Sequence, residues 1–380
     1  MKPFDQPDNI YRLAEELRLP EKRIMDFSNP VNPLGTSRKV KAEIRRYLKY
    51  LHRYPDDDAR RLRKKIGQYH SIDPETVLCG NGSAELLYLI TRTMNPQKVL
   101  IPAPTDTRYE RACRASGNPE IVRYHMKRGD QFAFDVAEFI RAMAGKSLSP
   151  DVHSHAPGLQ EEIEKATHPC DMAFLCNPND LTGRLLDNQS IKKIADAADR
   201  VGCYLIVDEA FIDFSPGESL IQEVADHSHL MVLRSMSQAS ALAGVRFGYG
   251  VFPVHWMEQL ASNRPPFMVS ILAQQAAAAV LRDKAYRKET QSVVQREKAF
   301  LEKSFRKLGI TFFPSDANFY LVETASASLI WHRLRRKGIM VKACSDFFGL
   351  GDAFLRIAVK SHRENTVLVK ELSAILTSGD

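Results

Sequence analysis

The chain has few of the features that would restrict its class at once. No apolar stretch approaches the roughly 20 residues needed to cross a bilayer, so an integral membrane protein is not expected. The start, Met1-Lys2-Pro3-Phe4-Asp5, has no apolar run behind its lysine, so a secretory signal is not expected either. Cysteine is sparse: Cys79, Cys113, Cys170, Cys176, Cys203 and Cys344 are scattered, mostly among apolar neighbours. That spacing argues against a disulfide scaffold or a zinc site and for a reducing compartment, the cytoplasm by default. No internal repeat or low-complexity tract stands out, and no metal site is expected.

What is present is an ordinary globular composition. The 380 residues are 44% hydrophobic and 26% charged, enough for two units sharing a large core. The formal charge of +7 includes the runs Arg60–Lys65 and Arg333–Lys337. Such runs usually form the wet faces of helices. With no finger, stacking motif or helix-turn-helix pattern beside them, nucleic-acid binding is not expected.

From residue 77 onward, short apolar runs alternate with mixed helical segments. Strands are expected at 77–79, 98–101, 120–124, 172–176, 203–207, 230–233 and 247–252, with helices around 84–93, 107–116, 133–144 and 189–200. Continuous apolar strands separated by helices predict a mostly parallel sheet covered on both faces, an α/β architecture. Beyond Pro265-Pro266 the pattern changes to helices near 270–282 and 285–308. Strands at 319–322, 338–341 and 354–359 follow, with a last helix after Glu364: a smaller α+β unit in which Gly309 stops the long helix. The segment 146–157 reads as a surface loop.

Several polar stretches fall where the chain leaves a strand. In Gly80-Asn81-Gly82-Ser83-Ala84-Glu85, the amides at a helix start suit a phosphate, and a plain turn capped by Ser83 would look the same. Asn177-Pro178-Asn179-Asp180-Leu181-Thr182-Gly183 follows a buried-looking strand, a position where open sheets bind ligands, although an ordinary Asx-turn loop also fits. Asp208-Glu209 ends the most apolar run, where a carboxylate needs a cationic or hydrogen-bonding partner. Arg246 has the chemistry of a phosphate clamp and Arg356 that of a carboxylate clamp, and either may equally belong to a structural ion pair.

Taken together, Asp26–Gly35, Tyr54-Pro55-Asp56, Gly80–Glu85, Asn177–Gly183, Val207–Phe211, Arg234–Tyr249 and Leu355-Arg356-Ile357 resemble the fold-type I pyridoxal-phosphate (PLP) enzymes of the aspartate-aminotransferase fold. The nearest subgroups are the histidinol-phosphate aminotransferases and the threonine-phosphate decarboxylases of cobalamin synthesis. Asp26–Gly35 and Asp208–Phe214 lean toward the decarboxylases, and the likeness runs from about residue 9 to the C-terminus. It implies an N-terminal segment 1–45 joined to the small unit, a large cofactor-type unit 46–268 and a small C-terminal unit 269–380. By the same resemblance Ser83, Ala84, Ser235, Ser237 and Arg246 hold the cofactor phosphate. Tyr54 reaches that phosphate from the other subunit of a homodimer. Asp208 holds the pyridine nitrogen, Arg356 grips a substrate carboxylate, and Asn32 lies in a segment that closes over the ligand.

The departures fall on the chemical centre. Gln238 stands where relatives carry the lysine that binds the cofactor covalently, and an amide is neither a nucleophile toward the aldehyde nor a general base. Asp180 replaces an asparagine that donates to the cofactor's phenolate oxygen, a task only a protonated carboxyl can share. Asp106 replaces a ring-stacking aromatic, with Tyr109 nearby but aimed elsewhere by helix geometry. Leu181 replaces a proline. Gln6-Pro7-Asp8 and Lys342-Ala343 replace substrate-contacting residues of the decarboxylases. The expectation is therefore a family member that lacks the usual covalent PLP chemistry and holds a small phosphorylated or carboxylated anion, such as an amino-acid phosphate or PLP without a covalent link. The alternative is a decarboxylase or aminotransferase in which Gln238 is a substitution for the native lysine.

Overall fold

The computed structural model describes residues 9–146 and 168–377. The expected loop from 147 onward and Gln6-Pro7-Asp8 lie outside the described residues. The strands, in chain order, are β1 (Met25–Asp26), β2 (Val77–Gly80), β3 (Lys98–Ala103), β4 (Glu120–His125), β5 (Met172–Cys176), β6 (Tyr204–Asp208), β7 (Leu230–Ser235) and β8 (Gly248–Val251). Those of the C-terminal part are β9 (Thr311–Phe312), β10 (Phe319–Glu323), β11 (Ile339–Met340), β12 (Lys342–Ala343) and β13 (Phe354–Ala358).

Seven strands form one sheet in the order β2-β8-β7-β6-β5-β3-β4. β5 and β7 are buried along their whole lengths, as the unbroken apolar runs require of a sheet covered on both faces. The helices Ser83–Met94, Arg108–Ser116, Val136–Met143 and Asn188–Val201 supply that cover. Two apolar clusters result, one containing Leu100, Leu205 and Val232, the other Val99, Phe174 and Ile206. Alternate residues along a strand thus serve opposite faces. β8 runs antiparallel to both β2 and β7. Its link from β7 is short and contains no helix, a connection that suits an antiparallel neighbour.

A second sheet, β12-β13-β10-β9, is antiparallel, and the pair β1–β11 is parallel. The expected strand 338–341 is thereby split: Ile339–Met340 pairs with Met25–Asp26, whereas Lys342–Ala343 turns to pair with β13. The long helix Lys284–Lys307 ends before Gly309, which takes a left-handed conformation at φ 67°. A third apolar cluster joins Phe27, Leu301, Tyr320, Leu355 and Leu372 around this sheet. Among the described residues no helix is long and apolar enough to cross a membrane.

The parallel strands β3, β5, β6 and β7 all end on the same edge, where a crevice forms in open α/β sheets. The loops carrying Thr105-Asp106, Asn177–Asp180, Asp208-Glu209 and Ser235–Gln238 leave from those ends, which sets the site.

Candidate functional site

The phosphate-type loop begins at β2. Gly82, at φ 86°, is the residue before the helix Ser83–Met94, so Ser83 is the first helical residue and not its cap. Glu85 Oε2 accepts from the Asn81 amide at 2.7 Å, which ties the turn down. A side chain at Gly82 would collide with the Arg246 guanidinium, and one at Gly248 with the Ser83 amide. Both glycines therefore permit a close approach of the turn, β8 and Arg246. Arg246 is itself left-handed, at φ 61°, and donates to Ala243 O at 3.1 Å and Ser237 Oγ at 3.4 Å.

These residues wall a cavity of about 200 Å³. Ser83, Ala84, Ser235, Ser237 and Arg246 line it together with Gln238, Arg108, Ala243, Asn29, Pro30 and Val31. Helix-start amides, hydroxyls and a guanidinium on one wall are a donor set for a phosphate. Gln238 sits beside them, and its Oε1 is buried without a partner.

Behind this cup lie the acids. Asp208 ends β6, and its Oδ2 accepts from Tyr109 Oη at 3.0 Å while Oδ1 accepts from the Ala210 amide at 3.0 Å. Asp180 Oδ1 accepts from Thr105 Oγ1 at 2.9 Å and from the Asp106 amide at 3.2 Å, and its Oδ2 is buried without a partner. Asp106 accepts from the Arg108 amide and from Arg108 Nε, both at 2.8 Å. Burial, reinforced by the neighbouring Asp106 charge, pushes the Asp180 carboxyl up to about 7. Burial acts on Asp106 in the same sense, but Arg108 outweighs it and holds Asp106 below the usual carboxylate range. Asp208 is raised by burial against the opposing pull of Arg108 and Tyr109. When protonated, Asp180 has a donor to offer.

The remaining predicted residues are not on the cavity wall. Asn32 is buried, with its amide committed to Ala239 O and Thr290 Oγ1, both at 2.7 Å, and its Oδ1 to the Leu34 amide at 3.0 Å. It fastens the N-terminal segment to the Gln238 loop, whose carbonyl at Gln238 also accepts from the Asn32 amide at 3.0 Å. Asn29, Pro30 and Val31 are the members of that segment that reach the cavity. Arg356 donates to Asp180 O at 2.6 Å and Ser28 O at 2.8 Å, lies over the Phe319 ring, and keeps Nε buried and unpartnered. Tyr54 is 83% exposed and packs only on Phe267 among the rings, at 4.9 Å between centroids.

The sequence alone assigns Arg108 no role, yet the structure places it on the cavity wall and pairs it with Asp106. Its signal was the spacing Asp106-Thr107-Arg108, a carboxylate and a guanidinium two residues apart at a helix start just beyond β3. Thr105, which donates to Asp180, was missed for the same reason.

A mostly parallel sheet covered by helices, with a donor-lined cup beside β2 and a smaller antiparallel sheet, is the architecture of the aminotransferase-type fold. The chain belongs to the aminotransferase class I and II family, whose pattern matches residues 22–372. It is 32% identical over 359 residues to histidinol-phosphate aminotransferase 2 of Archaeoglobus fulgidus, with 94% of each chain covered. It is 30% identical over 373 residues to the threonine-phosphate decarboxylase of Salmonella typhimurium, covering 97% of this chain and 96% of that one. The solved histidinol-phosphate aminotransferase of Sinorhizobium meliloti, in complex with pyridoxal-5'-phosphate, superposes with a TM-score of 0.85 at 19% identity. That superposition covers 99% of this chain and 95% of that one, and shows the common fold. PLP-dependent transaminase and lyase ancestry follows from these relatives.

Proposed function

We propose that this chain uses the family's cofactor pocket to hold a small phosphorylated or carboxylated ligand without a covalent link. The observation that carries the reading is the pairing of a complete phosphate cup with Gln238 at its side. The phosphate end of PLP fits the cup, but the position that would take its aldehyde offers an amide, which cannot form that bond. When bound in the family's manner, PLP supplies an electron sink for bonds at an amino acid's α-carbon. Here no residue at position 238 accepts the proton or the carbonyl. Ser83, Ala84, Ser235, Ser237 and Arg246 bind the anion, and the Asn29–Val31 segment covers it.

A second reading is favoured by the near full-length likeness to two kinds of enzyme: with lysine at 238 the same pocket carries out amino-acid-phosphate decarboxylation or histidinol-phosphate-type transamination. The Gln238→Lys variant separates the two. Covalent uptake of PLP and turnover of threonine phosphate or histidinol phosphate by that variant favour a chain whose only obstacle is Gln238. Failure of both, with phosphate binding retained, favours a repurposed pocket.

The likeness also supports a homodimer with shared sites, built from the units 1–45, 46–268 and 269–380, and the scattered cysteines support the cytoplasm. Exposed Tyr54, Phe267 and Tyr88 supply apolar surface for a partner. Tyr88 lines a second cavity that shares Ala84 with the cup. Sedimentation of the purified chain tests this arm.

A further inference from the structure

The five residues Thr105–Tyr109 do something the rest of the pocket does not: they supply a hydrogen-bond donor to each of three neighbouring carboxylates. Thr105 and the Asp106 amide serve Asp180, Arg108 serves Asp106 through both its amide and its Nε, and Tyr109 serves Asp208. Tyr109 is fully buried and stacks on Phe174 at 5.0 Å, so its hydroxyl is held in place. The Arg108 side chain is held by one bond from Nε to Asp106 Oδ2, beside the bond from its own backbone amide to Oδ1.

Arg108 is ion-paired with Asp106 and lines the cavity, whereas Asp106, Asp180 and Asp208 are not among the residues that wall it. Asp208 already has a donor in Tyr109. A ring entering the cavity therefore meets a guanidinium before it meets an acid, and among the described residues no aromatic side chain lines the cavity to stack upon.

We propose that Arg108, held by Asp106, is the specificity-determining residue of this site: its guanidinium occupies the cavity wall in front of the acids, so that the pocket selects orthophosphate or a ring-free phosphomonoester over a pyridine phosphate. This deepens the reading of a non-covalent, phosphate-anchored site and rests on it. Ring-free ligands keep the Arg108–Asp106 pair intact, with their phosphate on Ser83, Ser235, Ser237 and Arg246. A pyridine phosphate has to displace the guanidinium from a part-buried pair, and loses affinity by what that displacement costs.

The test is calorimetric titration of the full chain with three probes: inorganic phosphate, glycerol phosphate and 4'-deoxypyridoxine phosphate, which has the ring but no aldehyde. Each is measured on the native chain, Arg108→Ala and Arg246→Ala, with thermal melting as the check on folding. The native chain is expected to bind inorganic phosphate or glycerol phosphate at least about tenfold tighter than the ring compound, a difference of about 1.4 kcal/mol. Which of the two binds tighter distinguishes a free-phosphate from a phosphomonoester site. Arg108→Ala is expected to move the preference toward the ring compound by at least about tenfold, the same increment. Arg246→Ala is expected to weaken all three. Tighter binding of the ring compound by the native chain, or a preference that Arg108→Ala leaves unmoved, overturns the role of Arg108 while leaving the phosphate site standing. Absence of binding by all three, or binding indifferent to Arg246→Ala, overturns the phosphate-anchored reading and this inference with it. If Arg108→Ala fails to fold, Arg108→Gln is titrated in its place. It removes the charge and retains most of the side-chain length, with the same shift expected.

Discussion

Tyr109 Oη donates to Asp208 Oδ2 at 3.0 Å, so the acid expected from the resemblance to hold a ring nitrogen already has a donor from its own chain. Both residues are buried, and the bond joins the helix after β3 to the end of β6. Tyr109→Phe removes the donor and keeps the stack on Phe174. Hydrogen bonds to a charged group are worth about 1.5–3 kcal/mol, so urea unfolding should show a loss of that order. A loss below about 0.5 kcal/mol, the level of a neutral surface substitution, would mean that Asp208 is satisfied in another way.

Asp180 gives the site a pH signature. Its carboxyl is raised by burial and by Asp106 to about 7. A carboxyl raised on folding contributes stability that is present below its unfolded value, near 3.9, and lost as pH rises through the folded value. Asp180→Asn keeps an acceptor and removes the titration. Its melting temperature relative to the native chain should therefore be higher at pH 8 than at pH 5. An offset that does not change with pH would show that Asp180 titrates normally.

His70 predicts the opposite slope at acid pH. Burial first, and then the Arg234 charge, lower it to about 3, and its Nε2 lies 2.8 Å from Tyr249 Oη. A histidine lowered on folding binds its proton more readily in the unfolded chain, so stability is full above about pH 6.5 and falls below it. In His70→Gln the loss of melting temperature between pH 7 and pH 5 should be smaller than in the native chain. An equal loss in both would place the acid sensitivity elsewhere.

Arg234 is the buried tie beneath the site. It pairs with Glu209 at 3.2 Å and Asp213 at 2.7 Å. Removing one partner of a buried pair leaves a charge without compensation and typically costs about 3–5 kcal/mol. Arg234→Met should lose stability of that order in urea, and a neutral result would show that the two acids take up protons freely.

The large sheet was legible because β3, β5, β6 and β7 are apolar runs, with helices between all but the last two, a pattern that follows from burial on both faces. The reversal of β8 was not, since Gly248–Val251 has the same composition whichever way it runs. The split of 338–341 also escaped notice, because its partners lie at Met25–Asp26 and at β13. Within the site, Ser83, Ala84, Ser235, Ser237, Arg246 and Gln238 were named from the sequence and line one cavity. The commitment of Asn32 was hidden, as its partners Ala239 and Thr290 are remote in sequence. Arg108 was hidden because a carboxylate and a guanidinium two residues apart pair only where the turn between them brings them together. Asp106 read alone was a missing aromatic, and beside Arg108 it becomes half of an ion pair.

The most direct test of non-covalent anchorage is borohydride reduction of the native chain mixed with PLP, followed by mass mapping, with Gln238→Lys in parallel. The account predicts no site-specific label on the native chain, which nonetheless binds phosphate through Arg246, and little or no label at position 238 of Gln238→Lys, whose pocket still carries Arg108. A native chain that acquires a stoichiometric pyridoxyl group on a lysine within the pocket would contradict it.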